Sequence, residues 1–375
     1  MDNKKFKQLT FLTPTMQRTG SEIVLFNLLS HIPDNFYFRL FSVYKGDLLS
    51  YINKRHSTVF AHQKLPINII SKIGFKLKEV FFVPWLLKVS KKMTWYINTI
   101  VLWDYLEYAE KNNVKVILHV HELEQIFELL SKEQLERVVN YPDLIIANSN
   151  YTKQLVQQYG RSKPIELCYP AIDTKKVISN PEIKKRYRQK LNISDNSFAW
   201  AMCGTLDDNK NPELFINIAC ELLKTQPNTV FLWIGATTDK VYANQCKTKA
   251  SQKNVADKII WIDSVGEEYQ HYFNCADGFV LTSKKESFSI VTLEALLLGL
   301  PIVTHDCGGV KEILREDVGT IVKEKNNVSQ FVETMSSHMN DLILHNKVKG
   351  IERAQEFDIK IWSKKWNTIL DNYID

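Results

Sequence analysis

The sequence has 375 residues and a formal net charge of +6; 45% of its residues are hydrophobic, 24% charged and 11% aromatic. These are the values of a folded chain long enough for two or three domains, and they exclude a disordered protein. Gly 13 and Pro 11 exclude collagen-like and low-complexity classes. Along the chain, Lys7 to Leu12 is a short apolar run with strand character, and Glu22 to Leu29 then repeats at helical spacing. Phe36 to Val43 reads as a second strand. Val114 to Val120 (VKVILHV) is β-branched and nearly continuous, as a strand buried on both faces should be. Leu144 to Ala147 is another strand, and Tyr151 to Gln158 a helix. The segment from Tyr169 to Gln189 carries Pro170, Pro181 and a run of charges, and reads as an interdomain connection.

The pattern then restarts. Ser197 to Met202 reads as a strand, Cys203 to Asn211 as a polar loop, and Pro212 to Lys224 as a helix with proline early in its first turn. Short apolar runs follow at 230–234, 258–262, 278–281, 301–304 and 319–322, with helical stretches at 267–275 and 289–298. Strands alternating with helices imply parallel βαβ units, so two such series predict two doubly wound domains. Sheets of this kind bind ligands at the carboxyl ends of their strands. No GxGxxG is present, which counts against a nicotinamide-dependent dehydrogenase.

Charge is placed unevenly: residues 1–175 carry a net +7 and the remainder −1. The basic stretch from Lys64 to Lys92 includes Lys72, Lys76, Lys78 and Lys88, interleaved with Phe75, Phe81 and Trp85 and followed by Trp95 and Tyr96. Lysines beside Trp and Phe suit a helix lying on an anionic membrane surface; an amphipathic, core-facing helix with a solvated basic face accounts for them equally well. Six single cysteines without a CxxC pair fit a reducing cytosol, and neither a cleavable signal peptide nor a spanning helix is evident. The expected location is cytoplasmic, with peripheral contact on the inner face of the membrane. No nucleic-acid-binding motif is present.

The most informative stretch is ESFSIVTLEALLLGLPIVTHDCGGVKEIL, residues 286–314. Ser289 is placed to cap a helix that carries Glu294 in its second turn, with Ile290, Leu293, Leu296 and Leu297 on the buried side. A helix N-terminus after a buried strand attracts anions through its free N–H groups and dipole. A carboxylate one turn further on can accept hydrogen bonds from a ribose diol, and Glu286 can meet another hydroxyl-bearing group. Either glutamate alone is more simply a loop cap or a solvated helix residue; the pair in this context is not.

These residues resemble the retaining glycosyltransferases of the GT-B fold, family 4 type. The resemblance rests on E-x7-E (ESFSIVTLE), GLP and CGGVKEI, with TGSEIVLFNLL, HVHE, ANSNYTKQLV and CGTLDDNKNPELFINIA in the family's order. It implies an α/β GT-B fold with two doubly wound, Rossmann-like domains facing a central cleft. An acceptor-side domain at 1–175 is expected to be completed by a C-terminal helix at 357–375, and a nucleotide-sugar-binding domain to occupy 176–356.

The resemblance also implies roles. Gly20 matches a turn whose N–H groups face the donor diphosphate, and Lys210 the lysine that neutralises it. Gly204 and Thr205, expected to line the donor nucleotide, stand where the family usually has Arg, which leaves the second phosphate cation unassigned. The main chain of Phe288, Ser289 and Ile290 would hold the sugar-phosphate, with serines where the family has glycines. Glu286 is expected near the transferred sugar and Glu294 near the ribose. His121 best matches the family's active-site histidine; His119 competes, because alternation along HVH is expected to let only one face the cleft.

Asp207-Asp208 is not the DxD of metal-dependent enzymes, and no metal or other cofactor is expected. The implied activity is transfer of a sugar, with retention of configuration, from a nucleotide-diphosphate sugar to a glycan or lipid-linked acceptor. Such acceptors occur in polysaccharide and lipopolysaccharide biosynthesis. The alternatives are a nucleotide-sugar epimerase or hydrolase of the same fold and a non-catalytic nucleotide-sugar-binding protein at the membrane.

Overall fold

The computed structural model describes residues 6–52, 57–61 (backbone), 83–263, 266, 268–340 and 347–374. Two compact units are formed, Met1–Ala171 with Ile359–Asp375, and Ile172–Asp358.

The first unit is built on seven parallel strands: β1 (Lys7–Thr13), β2 (Phe36–Ser42), β3 (Ser57–Ala61), β4 (Thr94–Ile97), β5 (Val116–Val120), β6 (Leu144–Ala147) and β7 (Ile165–Leu167). Their spatial order is β3-β2-β1-β4-β5-β6-β7. All residues of β4, β5 and β6 are buried, which is why these strands read as continuous apolar runs rather than alternating ones. Trp95 and Tyr96 therefore do not belong to a membrane-facing patch. They lie in β4, wholly buried at the centre of the sheet.

Helices join the strands, and their ends carry the expected chemistry. Ser131 and Gln134 form a reciprocal capping box at the start of Lys132–Asn140, and Ser149 caps Asn150–Gln158 through the Thr152 N–H. The terminal helix Ile359–Tyr373 belongs to this unit. Its Trp366 is fully buried against Phe11 and Tyr96, and Asp371 pairs with Lys7 at the other end of the chain.

The second unit has six parallel strands: β8 (Phe198–Cys203), β9 (Thr229–Ile234), β10 (Ile259–Ile262), β11 (Gly278–Leu281), β12 (Ile302–His305) and β13 (Thr320–Val322), in the order β10-β9-β8-β11-β12-β13. The charged run read from sequence as part of a connection is instead its first helix, Pro181–Lys190. Asn180 caps it and Pro181 occupies the first turn. Arg188 on this helix is buried and bonds Asp277 at 2.8 Å, just before β11. A charge that must be buried this way is hidden from any hydrophobic periodicity.

In each sheet the strand order reverses once, between β1 and β4 and between β8 and β11. Open parallel sheets leave a crevice outside the carboxyl ends of the strands at such a point. The loops that border these two crevices are 14–19 with 98–99, and 204–211 with 282–289. Among the described residues, no helix is long and apolar enough to cross a membrane.

Candidate functional site

In the second unit, β8 ends at Cys203 and β11 at Leu281, and the loops leaving them are laced together. Thr282 Oγ1 donates to the Lys210 carbonyl at 2.8 Å, Asn209 Nδ2 to the Lys285 carbonyl at 3.0 Å, and the Lys284 N–H to the Asn209 carbonyl at 2.7 Å. Asp207 accepts from the Lys210 N–H, and Asn211 caps the helix Pro212–Leu222. Lys210 is thereby aimed at Glu286, with Nζ 2.5 Å from Oε1. Burial alone would lower the Lys210 pKa, but the charge and hydrogen bond of Glu286 outweigh it and raise it. Gly204 lies alongside, where an added Cβ would stand 3.1 Å from the Lys210 stem.

The CGG stretch has a structural reason. The Glu286 N–H donates to the Cys307 carbonyl at 2.6 Å, and the Gly309 N–H to the Glu286 carbonyl at 2.9 Å. A Cβ at 309 would sit 2.1 Å from the Ser287 carbonyl oxygen. Only glycine permits the loop bearing Glu286 to approach so closely.

Ser289 precedes the helix Ile290–Leu298 with φ +88°, so the position is left-handed and the serine carries a conformational cost of about 1–2 kcal/mol. It does not cap through its side chain as its residue type suggested. That geometry turns the hydroxyl to Thr292 Oγ1, 2.8 Å away. Every residue from Thr292 to Leu298 is buried, whereas Ile290 is half-buried. Phe288 is buried against Phe357.

Glu294 is likewise buried rather than solvated. Tyr269 donates to its Oε1, and Oε2 has no hydrogen-bond partner among the described residues. Burial pushes its pKa up to about 7, with Tyr269 and Gln270 opposing the shift. Glu294 is close enough to Cys203, at the end of β8, to add to the upward shift that burial imposes on that thiol. A half-satisfied buried carboxylate at the switch point of a parallel sheet is equipped to accept hydroxyl groups.

In the first unit, Gly20 opens the helix Gly20–Leu29, and an added Cβ there would meet no atom within 4 Å. Packing therefore does not dictate this glycine. Ser21 and Thr19 both donate to the buried Glu22 carboxylate. His121 follows β5, and His119 is wholly buried within it. The expectation that alternation separates them is wrong: residues two apart in a strand share a face, and their ring centroids lie 4.0 Å apart. Burial lowers the pKa of both, that of His121 to about 3.

Asn98, which the sequence reading did not single out, joins two of the expected positions. Its Nδ2 donates to the Ser21 carbonyl and its Oδ1 faces His121 Nε2, each at 3.2 Å. The signal for it was its place directly after β4, in a stretch assigned to a surface patch instead of a strand.

Of that patch, Lys72, Lys76 and Lys78 lie outside the described residues. Trp85 stands on the helix Val83–Ser90, 36% exposed, with its ring edge-on to Phe41 at 5.6 Å. Asp208 pairs with Lys284, and among the described residues no three His, Cys, Asp or Glu side chains are grouped to hold a metal ion.

Residues 20–176 match the family model of Glycosyltransferase Family 4, and residues 183–355 that of Glycosyl transferases group 1. The chain belongs to this glycosyltransferase family. It is 24% identical, over 60% of its length, to a GDP-mannose-dependent alpha-(1-6)-phosphatidylinositol monomannoside mannosyltransferase of Mycolicibacterium smegmatis. It is 26% identical, over 52% of its length, to a D-inositol 3-phosphate glycosyltransferase of Geodermatophilus obscurus. The matches span 59% and 45% of those two proteins. Among solved structures, Alr3699/HepE of Anabaena in complex with UDP and glucose matches with a TM-score of 0.83 at 18% identity, covering 97% of this chain and 99% of that one. At that identity the likeness establishes the two-domain GT-B glycosyltransferase fold.

Proposed function

We propose that this glycosyltransferase moves a sugar from a nucleotide-diphosphate sugar to a hydroxyl group of a glycan or lipid-linked acceptor, with retention of configuration. The observation that carries the reading is the placement of Lys210, Glu286 and Glu294 around the β8/β11 switch point. The departing diphosphate gains negative charge, and the Lys210 ammonium together with the N–H groups opening the Ile290–Leu298 helix stabilises it. Glu286 holds that ammonium in place. With donor bound, a phosphate shares Lys210 and the carboxylate accepts from the transferred sugar. Glu294 accepts from the ribose through Oε2, which has no hydrogen-bond partner among the described residues. The Gly20 turn, where an added Cβ would meet no atom within 4 Å, is expected to take the diphosphate, and His121 a hydroxyl of the sugar. Lys210 supplies the positive charge that a metal supplies in other enzymes, so the reaction is expected to proceed without one.

A nucleotide sugar is also what the relatives' names imply for those proteins: GDP-mannose for the mycobacterial enzyme, and UDP-glucose bound to HepE. The acceptor reading draws on the phosphatidylinositol mannoside substrate named for the same mycobacterial enzyme, and on the lipopolysaccharide galactosyltransferase WaaB, a structural neighbour. The half-exposed Trp85 beside Lys88 is consistent with contact at a membrane surface. The test is a thermal-shift panel of nucleotides and nucleotide sugars, followed by turnover of the stabilising donor and assignment of the product anomer by NMR. A nucleotide sugar is expected to stabilise by about 2.7 kcal/mol at a hundredfold excess over its Kd, and the product to keep the donor's configuration. An inverted product, or no stabilisation by any member of the panel, would overturn the reading.

A further inference from the structure

The hydrogen-bond directions around His121 follow from neighbours that each have a single role. Asn98 is wholly buried directly after β4, and its Nδ2 donates to the Ser21 carbonyl. That contact orients the amide, so Oδ1 is the atom 3.2 Å from His121 Nε2. An amide oxygen only accepts, and the ring nitrogen facing it must carry the proton. A second chain of contacts reaches the neighbouring ring. The Trp366 indole N–H, a donor only, reaches the Tyr96 oxygen at 3.1 Å. The Tyr96 hydroxyl also meets His119 Nδ1, 2.7 Å away, a contact in which either group can be the donor. His119 Nε2 has no hydrogen-bond partner among the described residues. The two rings lie 4.0 Å apart in surroundings that disfavour charge on either. The carboxylate of Glu122, next in sequence, makes its hydrogen bonds with the His121 backbone N–H and Thr99.

We infer that Asn98 is a positioning residue that fixes His121 as the neutral tautomer protonated on Nε2, leaving Nδ1 as the ring's hydrogen-bond acceptor. Resting on the reading of His121 as a donor-sugar contact, this assigns the kind of group it takes. A bare Nδ1 accepts from a sugar hydroxyl and cannot donate to a phosphate or glycosidic oxygen. Through the Ser21 carbonyl, Asn98 also ties the orientation of the ring to the turn that begins at Gly20.

The test is nitrogen-15 NMR of the imidazole rings in the full-length protein from pH 6 to 8, with His119→Gln and His121→Gln identifying the two signals. In the wild type both histidines are expected to remain neutral, His121 with its proton on Nε2. In Asn98→Ala, His121 is expected to become a mixture of tautomers while His119 keeps its own. A wild-type His121 protonated on Nδ1 or charged at pH 6 overturns the inference, as does an unchanged tautomer in the variant. The wild-type spectrum decides even if Asn98→Ala does not fold. Full turnover by His121→Ala, by contrast, would sink the sugar-contact reading and leave the tautomer assignment standing.

Discussion

The Lys210 ammonium lies 2.5 Å from the Glu286 carboxylate, and each takes up charge that the other would leave poorly solvated. Removing one partner of a fully buried pair costs about 3–5 kcal/mol. The 21% exposure of the Lys210 side chain moderates that here. Lys210→Met and Glu286→Gln are each expected to lower stability, and the double variant by less than their sum, with a coupling of about 0.5–3 kcal/mol. Urea unfolding of the four proteins measures it; strict additivity would mean the contact carries no energy.

Ser289 holds a left-handed backbone without a glycine's freedom. Ser289→Gly removes that cost but also the bond to Thr292, and is expected to leave stability unchanged or raise it by up to about 1 kcal/mol. Ser289→Ala keeps the strain, loses the bond and is expected to destabilise. Thermal unfolding of the two variants checks the order.

Glu294 has a folded-state pKa near 7, against an ordinary value of 4.5, because it is buried. The folded protein therefore holds a proton that the unfolded chain releases, and this group's contribution to stability is fully present below about pH 4.5 and is lost as pH rises to about 7. The decline attributable to this group is about 3 kcal/mol. Glu294→Gln is expected to flatten that part of the profile, gaining more at pH 8 than at pH 5 in denaturant unfolding. If Glu294 accepts from a ribose, nucleotide affinity in the wild type should also weaken as pH falls below 7.

Two glycines make opposite predictions. Gly309→Ala drives a Cβ into the Ser287 carbonyl and is expected to cost about 1–3 kcal/mol. Gly20→Ala meets open space and should keep wild-type stability, yet bind nucleoside diphosphate at least about tenfold more weakly, a difference of about 1.4 kcal/mol. Calorimetric melting and titration of both variants separate a packing role from a binding one.

Much of this site was legible in order along the chain, because buried parallel strands read as apolar runs and the loops after them carry the chemistry. Cys203 to Asn211 and Glu286 to Glu294 were located that way. What stayed hidden was set by contacts between distant residues. Trp95 and Tyr96 look like membrane-seeking aromatics until β1 and β5 close over them. The charged helix 181–190 gains its place from the bond between Arg188 and Asp277. Tyr269 on Glu294 has no local signature, and Asn98 on His121 has only its place after a strand that reads as surface.

The central claim is that Glu286 and Glu294 serve a bound nucleotide sugar. Isothermal titration of the most stabilising nucleotide sugar into the wild type and into Glu286→Ala/Glu294→Ala tests it directly. Saturable binding by the wild type and at least about a hundredfold loss in the variant, 2.7 kcal/mol or more, is the predicted result. Equal affinity in a folded variant would contradict the account.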